Sequence, residues 1–517
     1  MMNPIENVTV QFNNNNDLPI FSEEEFGIVN LVIKDTLVNK TPIFIFFSND
    51  ISGSMSDICK NGRNTKMDHS IHTIRNILNL LSKYSKEIEI WVQIDGFDDN
   101  IVGVVPPTQV TEENLSELYN LVGKMYPRNG TNIELAIQNA NRKMTEFKST
   151  NPSVDMVHIF TTDGNANMGN TDIEVLSSLV NEKYANIFIG FGEDHSYKTL
   201  NNLASSNVLG KYYFIDDIES GGLVYGEIIH SVLYKILEHT IIEVDDGKIY
   251  NYLTNTWEST LILGSLCSGA KKTYHLSSTS PQNCQVTLSG FMYNFVDAKE
   301  VAVLSEMTDL KKYIFRQKVQ ELMFQHLKGV AVKMEIKDIF DKLLKYMEEE
   351  PEDILLKNLH DDLMSIISSN YSSNIYCQAR AHSNGRETTY APSFGRNIDR
   401  GQPVRFFDDY EDNIAFGMMR GVSDNCRREY SNPIQMECMR SCSQPMEEER
   451  HPEDNVFGWA APSRGYAAPS RGHAAPFEKY TGYSRSTGFI PKEEEYNPDE
   501  DDEPEIPMVG LTRQSSV

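Results

Sequence analysis

The 517-residue chain carries 74 acidic against 47 basic residues, a formal net charge of −27, and 40% of it is hydrophobic. Such an acidic balance argues against a nucleic-acid phosphate backbone or an anionic membrane as the main partner. The length suits two or three domains, because single cores stop growing near ~250–300 residues, and no run approaches the ~18 apolar residues of a membrane span.

Residues 1–25, with asparagines from Asn13 to Asn16, read as a flexible N-terminal arm. Met1 to Asn7 shows neither a basic n-region nor an apolar h-region, so a signal peptide is not expected. Phe26 to Ile33 reads as a strand, and residues 26–40 are expected to pair with a β-sandwich further along. From 41 to 240, apolar strands alternate with helical patterns, the sign of a doubly wound, mostly parallel α/β sheet. Its strands are Ile43 to Phe47, Ile88 to Ile94, Val157 to Thr162, Ile187 to Gly192 and Lys211 to Ile215, with Ile101 to Val105 as an edge hairpin. Its helices are marked by Ile71, Ile74, Leu78 and Leu81, by a capping-box-like start at Thr111 and Asn114, and by Ile133, Ala136, Ile137 and Ala140. Ile173 to Tyr184 and Leu223 to Leu237 complete the set.

Residues 241–308 change to short apolar runs split by Gly, Ser, Asn and Pro, which predicts a small β-sandwich. If the strand at 26–33 pairs into it, the α/β domain is an insertion between its strands. Residues 309–371 turn helical, with stripes such as Phe315, Val319 and Leu322, then Ile336, Phe340 and Leu343, then Leu355, Leu359 and Leu363. After 372 the apolar pattern fails. Ala460-Ala461-Pro462-Ser463-Arg464-Gly465-Tyr466 repeats once and begins again, and Glu493 to Glu503 is acidic, so 372–517 is expected to be a mostly disordered tail.

One stretch carries chemistry. Asp50, Ser52 and Ser54 stand at spacing two after the strand at 43–47, so an extended turn would send all three side chains to one side. Thr131 lies at the mouth of a helix, and Asp163-Gly164 follows the strand at 157–162. These loops supply two carboxylates and three hydroxyls, hard oxygen donors that suit Mg²⁺ or Mn²⁺ rather than zinc or copper, and water plus one ligand would complete an octahedron. All three loops lie at the carboxyl edge, where open α/β sheets bind ligands.

Asp50-Ser52-Ser54, Thr131 and Thr162-Asp163-Gly164 together resemble the metal-ion-dependent adhesion site of von Willebrand factor A (VWA) domains. The resemblance implies a metal held directly by the hydroxyls of Ser52, Ser54 and Thr131. It implies that Asp50 and Asp163 act mainly through bound waters, and that an Asp or Glu carboxylate of a protein partner completes the shell. The order of A domain, sandwich and helices also resembles intracellular VWA proteins, including uncharacterised ones of large DNA viruses and protists. The expected function is a non-enzymatic, metal-dependent protein-binding module on an intracellular scaffold. The alternatives are a structural component of a virion or other assembly, and an accessory subunit of an ATPase or ubiquitin-pathway complex.

Other features point away from catalysis and nucleotides. Gly190-Phe191-Gly192 lacks the third glycine of a dinucleotide loop, and Glu193-Asp194 would repel a pyrophosphate. No histidine neighbours Ser52 or Ser54 in sequence, G-x-S-x-G is absent, and His158 and His195 are expected to be structural. The cysteines Cys59, Cys267, Cys284, Cys377, Cys426, Cys438 and Cys442 are odd in number and scattered. They suggest a reducing, cytoplasmic compartment rather than secretion, and Cys438-x-x-x-Cys442 has no matching pair for zinc.

Overall fold

The computed structural model describes residues 3–13, 25–35, 41–59, 64–192, 195–207, 209–215, 221–292, 296–304, 308–330, 332–368 and 432–444. Its central element is a six-stranded sheet in the order β5-β4-β3-β6-β7-β8. The strands are β3 (Ile43–Asp50), β4 (Ile90–Phe97), β5 (Ile101–Gln109), β6 (Asp155–Thr162), β7 (Ala185–Phe191) and β8 (Lys211–Ile215). Every pairing is parallel except the edge hairpin β4–β5. Period two in β3 divides the core. Ile43, Ile45 and Phe47 join Ile74, Ile77, Leu78 and Leu81 of α1 (Lys66–Tyr84), whereas Phe44 and Phe46 meet Ala140, Met144 and Phe147 of α3 (Ile133–Thr150).

Between them, α2 (Leu115–Val122) begins after a reciprocal pair in which Thr111 N–H donates to Asn114 Oδ1 and Asn114 N–H to Thr111 Oγ1. The helix expected over 173–184 is shorter, α4 (Ile173–Ser178). Asn181 ends it: its Oδ1 accepts from Lys183 N–H and its carbonyl from the Asn186 amide, turning the chain into β7. Beyond it come α5 (Tyr197–Ser205) and α6 (Gly221–Leu233). Gly190 is glycine for packing, since a Cβ there would lie 2.2 Å from the His195 ring, and Gly192 turns with φ +65°.

The helix expected to run on to Leu237 stops at Leu233, because β9 (Lys235–Asp245) starts two residues later. Alternation decides the boundary: Leu237, Ile242 and Val244 are buried in a second core that a continuing helix could not reach. That core lies between two antiparallel-rich sheets. One has the order β11-β10-β13-β2-β1-β16 and the other β12-β9-β14-β15. They comprise β1 (Ile5–Phe12), β2 (Glu25–Ile33), β10 (Lys248–Asn251), β11 (Thr256–Glu258), β12 (Thr260–Cys267), β13 (Lys271–Ser278), β14 (Gln285–Met292), β15 (Val296–Val301) and β16 (Val303–Leu304). Residues 5–12, expected within a flexible arm, are therefore a strand. Val8, Val10 and Phe12 alternate into the core, and β2 lies between β1 and β13. The α/β domain is inserted between β2 and β9.

Three helices follow: α7 (Lys311–Leu327), α8 (Lys333–Glu349) and α9 (Ile354–Ser368). They share a core of Phe315, Val319, Leu343, Leu359 and Leu363. Leu310 and Ile314 pack instead on Phe26 and Ile28 of β2, and Gln317 bonds His275 of β13. Within the segment read as a tail stands a further helix, α10 (Pro433–Cys442), packed on α6 and α1; residues 369–431 and 445–517 lie outside the described residues. No helix among the described residues is long and apolar enough to cross a membrane.

Candidate metal centre

The first loop is anchored before it turns. Ile51 N–H donates to Phe97 O and Ile51 O accepts from Arg128 N–H, so the end of β3 is fixed on both sides. The chain then closes into a 3-10 turn over Gly53–Ser56 with Ser52 at its N-cap, rather than the extended turn expected from the spacing. Met55, wholly buried, drives that turn by entering the core. The result still gathers the three side chains. Asp50 Oδ1 accepts from Ser52 N–H at 2.7 Å, and the Ser52 and Ser54 hydroxyls lie 3.1 Å apart.

The second loop is stitched to the first by Gly53 N–H donating to Asn129 O at 3.0 Å. Asn129, in the left-handed region at φ 54°, donates its amide to Asp98 and Asp99. Thr131 is held by Asn167, whose Oδ1 accepts from Thr131 N–H at 2.7 Å, while Thr131 O accepts from Asn167 and Met168. Asn132 then caps α3 through Leu135 N–H. From the third loop, Asp163 Oδ1 accepts from the Ser54 hydroxyl at 2.7 Å, and the Thr162 hydroxyl donates to Asp50 Oδ2.

All five residues expected as ligands thus converge. A Cβ built on Gly164 would lie 3.7 Å from Thr131 Oγ1 and 3.8 Å from Ser54 Oγ, so the missing side chain leaves a small cradle between hydroxyls of two loops. Asp50, Ser52, Thr131 and Asp163 are 0%, 2%, 3% and 1% exposed. Burial pushes the Asp50 carboxyl up to about 6, against hydrogen bonds from Thr162 and Ser52 that favour its charge; Asp163 adds a repulsive charge. A desolvated carboxylate pair wants a cation, and the donor set is hard oxygen throughout. Among the described residues no group of three or more His, Cys, Asp or Glu is placed to hold a metal, so hydroxyls would have to carry most of any coordination here.

Two contributors were not singled out from the sequence. One is Asn167, which has no spacing signal because it acts across loops. The other is Lys66, whose Nζ lies 2.6 Å from Asp163 Oδ2 and 3.3 Å from Asp57 Oδ2. Burial opposes its charge, but the hydrogen bond and charge of Asp163, with those of Asp57, hold it above the ordinary lysine range. A capping box at Thr65 and Asp68 starts α1 there.

The histidines are engaged elsewhere. His158 bonds Ser48 at 2.9 Å and Asn186 at 3.0 Å, and His195 bonds Gly192 O and the Tyr212 hydroxyl. Cys438 and Cys442, buried on α10, are free thiols, as are Cys59, Cys267 and Cys284; Cys377 and Cys426 lie outside the described residues.

No protein-family model matches this sequence, and no curated protein matches it. Among solved structures, the chain is similar to a von Willebrand factor type A protein from Catenulispora acidiphila, with a TM-score of 0.46 and 15% identity over 68% of this chain and 90% of that one. It is also similar to the ArnB paralog VWA2 from Sulfolobus acidocaldarius, with a TM-score of 0.41 and 14% identity over 73% and 98% of the two chains. Proximal thread matrix protein 1 from the mussel byssus gives a TM-score of 0.30 and 18% identity over 39% and 47%.

Proposed function

We propose that this protein is a non-enzymatic binding module in which Mg²⁺ or Mn²⁺ at the sheet's carboxyl edge captures an Asp or Glu carboxylate of a protein partner. The observation that carries the reading is the chain of contacts from Asp50 through Ser52 and Ser54 to Asp163, with Thr131 beside it at Gly164. Ser52, Ser54 and Thr131 would hold the ion by their hydroxyls, and Asp50 and Asp163 would supply the balancing charge. Bound there, the ion would offer Lewis acidity to a carboxylate arriving from solvent. The site being nearly closed to water favours a strong ionic contact once a partner covers it.

A binding role fits better than catalysis because His158 and His195 are occupied by structural hydrogen bonds, which leaves Ser52 and Ser54 without a histidine base from either. The intracellular part of the reading rests on the odd number and scatter of the seven cysteines in the sequence. The test is a crosslinking pull-down with the full chain in Mg²⁺ and in EDTA, repeated with Thr131→Ala. Capture that disappears in EDTA and in the variant, with the circular dichroism spectrum unchanged, supports the reading. Equal capture in EDTA overturns it.

A further inference from the structure

Lys66 occupies the first helical position of α1, where the helix dipole disfavours a cation. Something else must hold it there, and the contacts show what. Its backbone N–H donates to Asp57 O at 3.0 Å, and the Ile58–Thr65 bridge closes the loop just before it. The side chain is 18% exposed and reaches over to Asp163, whose carboxylate is fully buried, while Asp57 at 63% exposure stands on the solvent side. The ammonium therefore has two carboxylates within reach, one inside the candidate metal centre and one outside it.

We propose that Lys66 is a tethered cation that competes with the divalent ion for Asp163, and that Asp57 receives the ammonium when the ion enters. The proposal rests on the metal reading above and extends it to how tightly and how reversibly the site fills. Asp163 has two oxygens. One accepts from Ser54 and faces the hydroxyl cluster, and the other is taken by Lys66. With the ammonium in place, Asp163 is already neutralised and a divalent ion meets a site holding one net negative charge from Asp50 rather than two. Filling the site then means moving a positive charge away from Asp163 or tolerating it a few ångströms from the ion. Either route weakens ion binding. Asp57 lowers that penalty by giving the displaced ammonium a carboxylate at the surface. The built-in cation thus lets a buried carboxylate pair exist without metal, and keeps the ion exchangeable rather than permanent.

The experiment is isothermal titration of the metal-stripped full chain with MgCl₂ and, separately, MnCl₂. Lys66→Met is expected to tighten both ions about tenfold or more by removing the competing charge, and Lys66→Arg to stay near wild type. Asp57→Ala, at an exposed position that leaves the core untouched, is expected to weaken both ions severalfold because Lys66 then has only Asp163. If Lys66→Met does not fold, Asp57→Ala is read alone, and unchanged affinity there then overturns the whole proposal. Unchanged or weaker affinity in a folded Lys66→Met protein overturns the proposal while leaving the metal reading standing. Unchanged affinity in Asp57→Ala overturns the part assigned to that residue. If the wild-type chain takes up neither ion, the metal reading falls and this proposal with it.

Discussion

The Thr162 hydroxyl, at the end of β6, donates to Asp50 Oδ2 at the end of the neighbouring strand β3, at 2.5 Å. It satisfies one oxygen of a carboxylate with no exposure to solvent, while Ser52 N–H satisfies the other. Thr162→Val keeps the shape and removes the donor. A loss of about 1–3 kcal/mol is expected in urea unfolding of the metal-free protein, together with weaker Mg²⁺ uptake. Thr162→Ser should restore both. A valine variant as stable as wild type would mean that Asp50 finds another donor.

Acid sensitivity follows from histidines buried without charge. Burial pushes His158 down to about 4 from its ordinary 6.5, with the Asn186 hydrogen bond pulling the other way. His230 is likewise lowered to about 4, by burial and then by the charge of Lys272, and His275 lies well below its ordinary value through burial and Arg316. The unfolded chain binds these protons at higher pH than the folded one. The histidines' contribution is therefore intact above about pH 6.5 and is lost as pH drops toward 4, by up to about 1.4 kcal/mol per pH unit for each, while the raised Asp50 carboxyl works the other way between about pH 6 and 4. His158→Gln should make the slope between pH 6.5 and 4 shallower by up to one proton, measured by denaturant titration in chelator. An unchanged slope would exclude His158 as a contributor.

The docking of α10 depends on two glycines of α6. A Cβ on Gly222 would lie 2.3 Å from Cys442 O, and one on Gly226 2.3 Å from Met439 Cα, contacts that no real side chain makes. Gly226→Ala should lift residues 433–442 off α6 and speed their amide hydrogen exchange by orders of magnitude, while β3 and β6 stay protected. Gly103→Ala, which meets nothing within 4 Å, is the control. Unaltered protection of 433–442 would show that α10 accommodates the added methyl without leaving α6.

The sandwich depends on the N-terminal strand. Deleting residues 1–13 strips β1 from between β2 and β16 and takes Val8, Val10 and Phe12 out of the second core. Burying each such side chain stabilises by roughly 1.5–3 kcal/mol. The deletion should abolish cooperative unfolding of the sandwich and expose β2, seen as aggregation or dye binding. A truncated protein that melts like wild type would reassign these residues to a dispensable arm.

How much of this was legible varies by element. The parallel sheet was, because Ile43–Phe47 is a continuous apolar run and Val157, Ile159 and Phe160 leave only His158 polar in theirs, a pattern that suits strands covered on both faces. Residues 1–13 were not, since Val8, Val10 and Phe12 alternate over only five residues beside an asparagine run, and the strand is held in place by β2 and, far along the chain, by β16. The α10 helix carried a local sign in Asn432-Pro433, an N-cap followed by proline at the first position, but low surrounding hydrophobicity hid it. In the site, Asp50, Ser52, Ser54 and Asp163 were marked by spacing and by their place after strands, and Thr131 by its place at the mouth of a helix. Lys66 and Asn167 were not, because their partners lie 97 and 36 residues away.

By itself, then, the sequence determined which oxygens stand at strand ends and that the strands would lie parallel, since period and apolar runs are local properties of the chain. Tertiary structure decided the charge of the site. Whether Asp163 faces a lysine, and whether Asp50 has lost its water, depends on what long-range packing brings beside them, and no spacing along a chain encodes that.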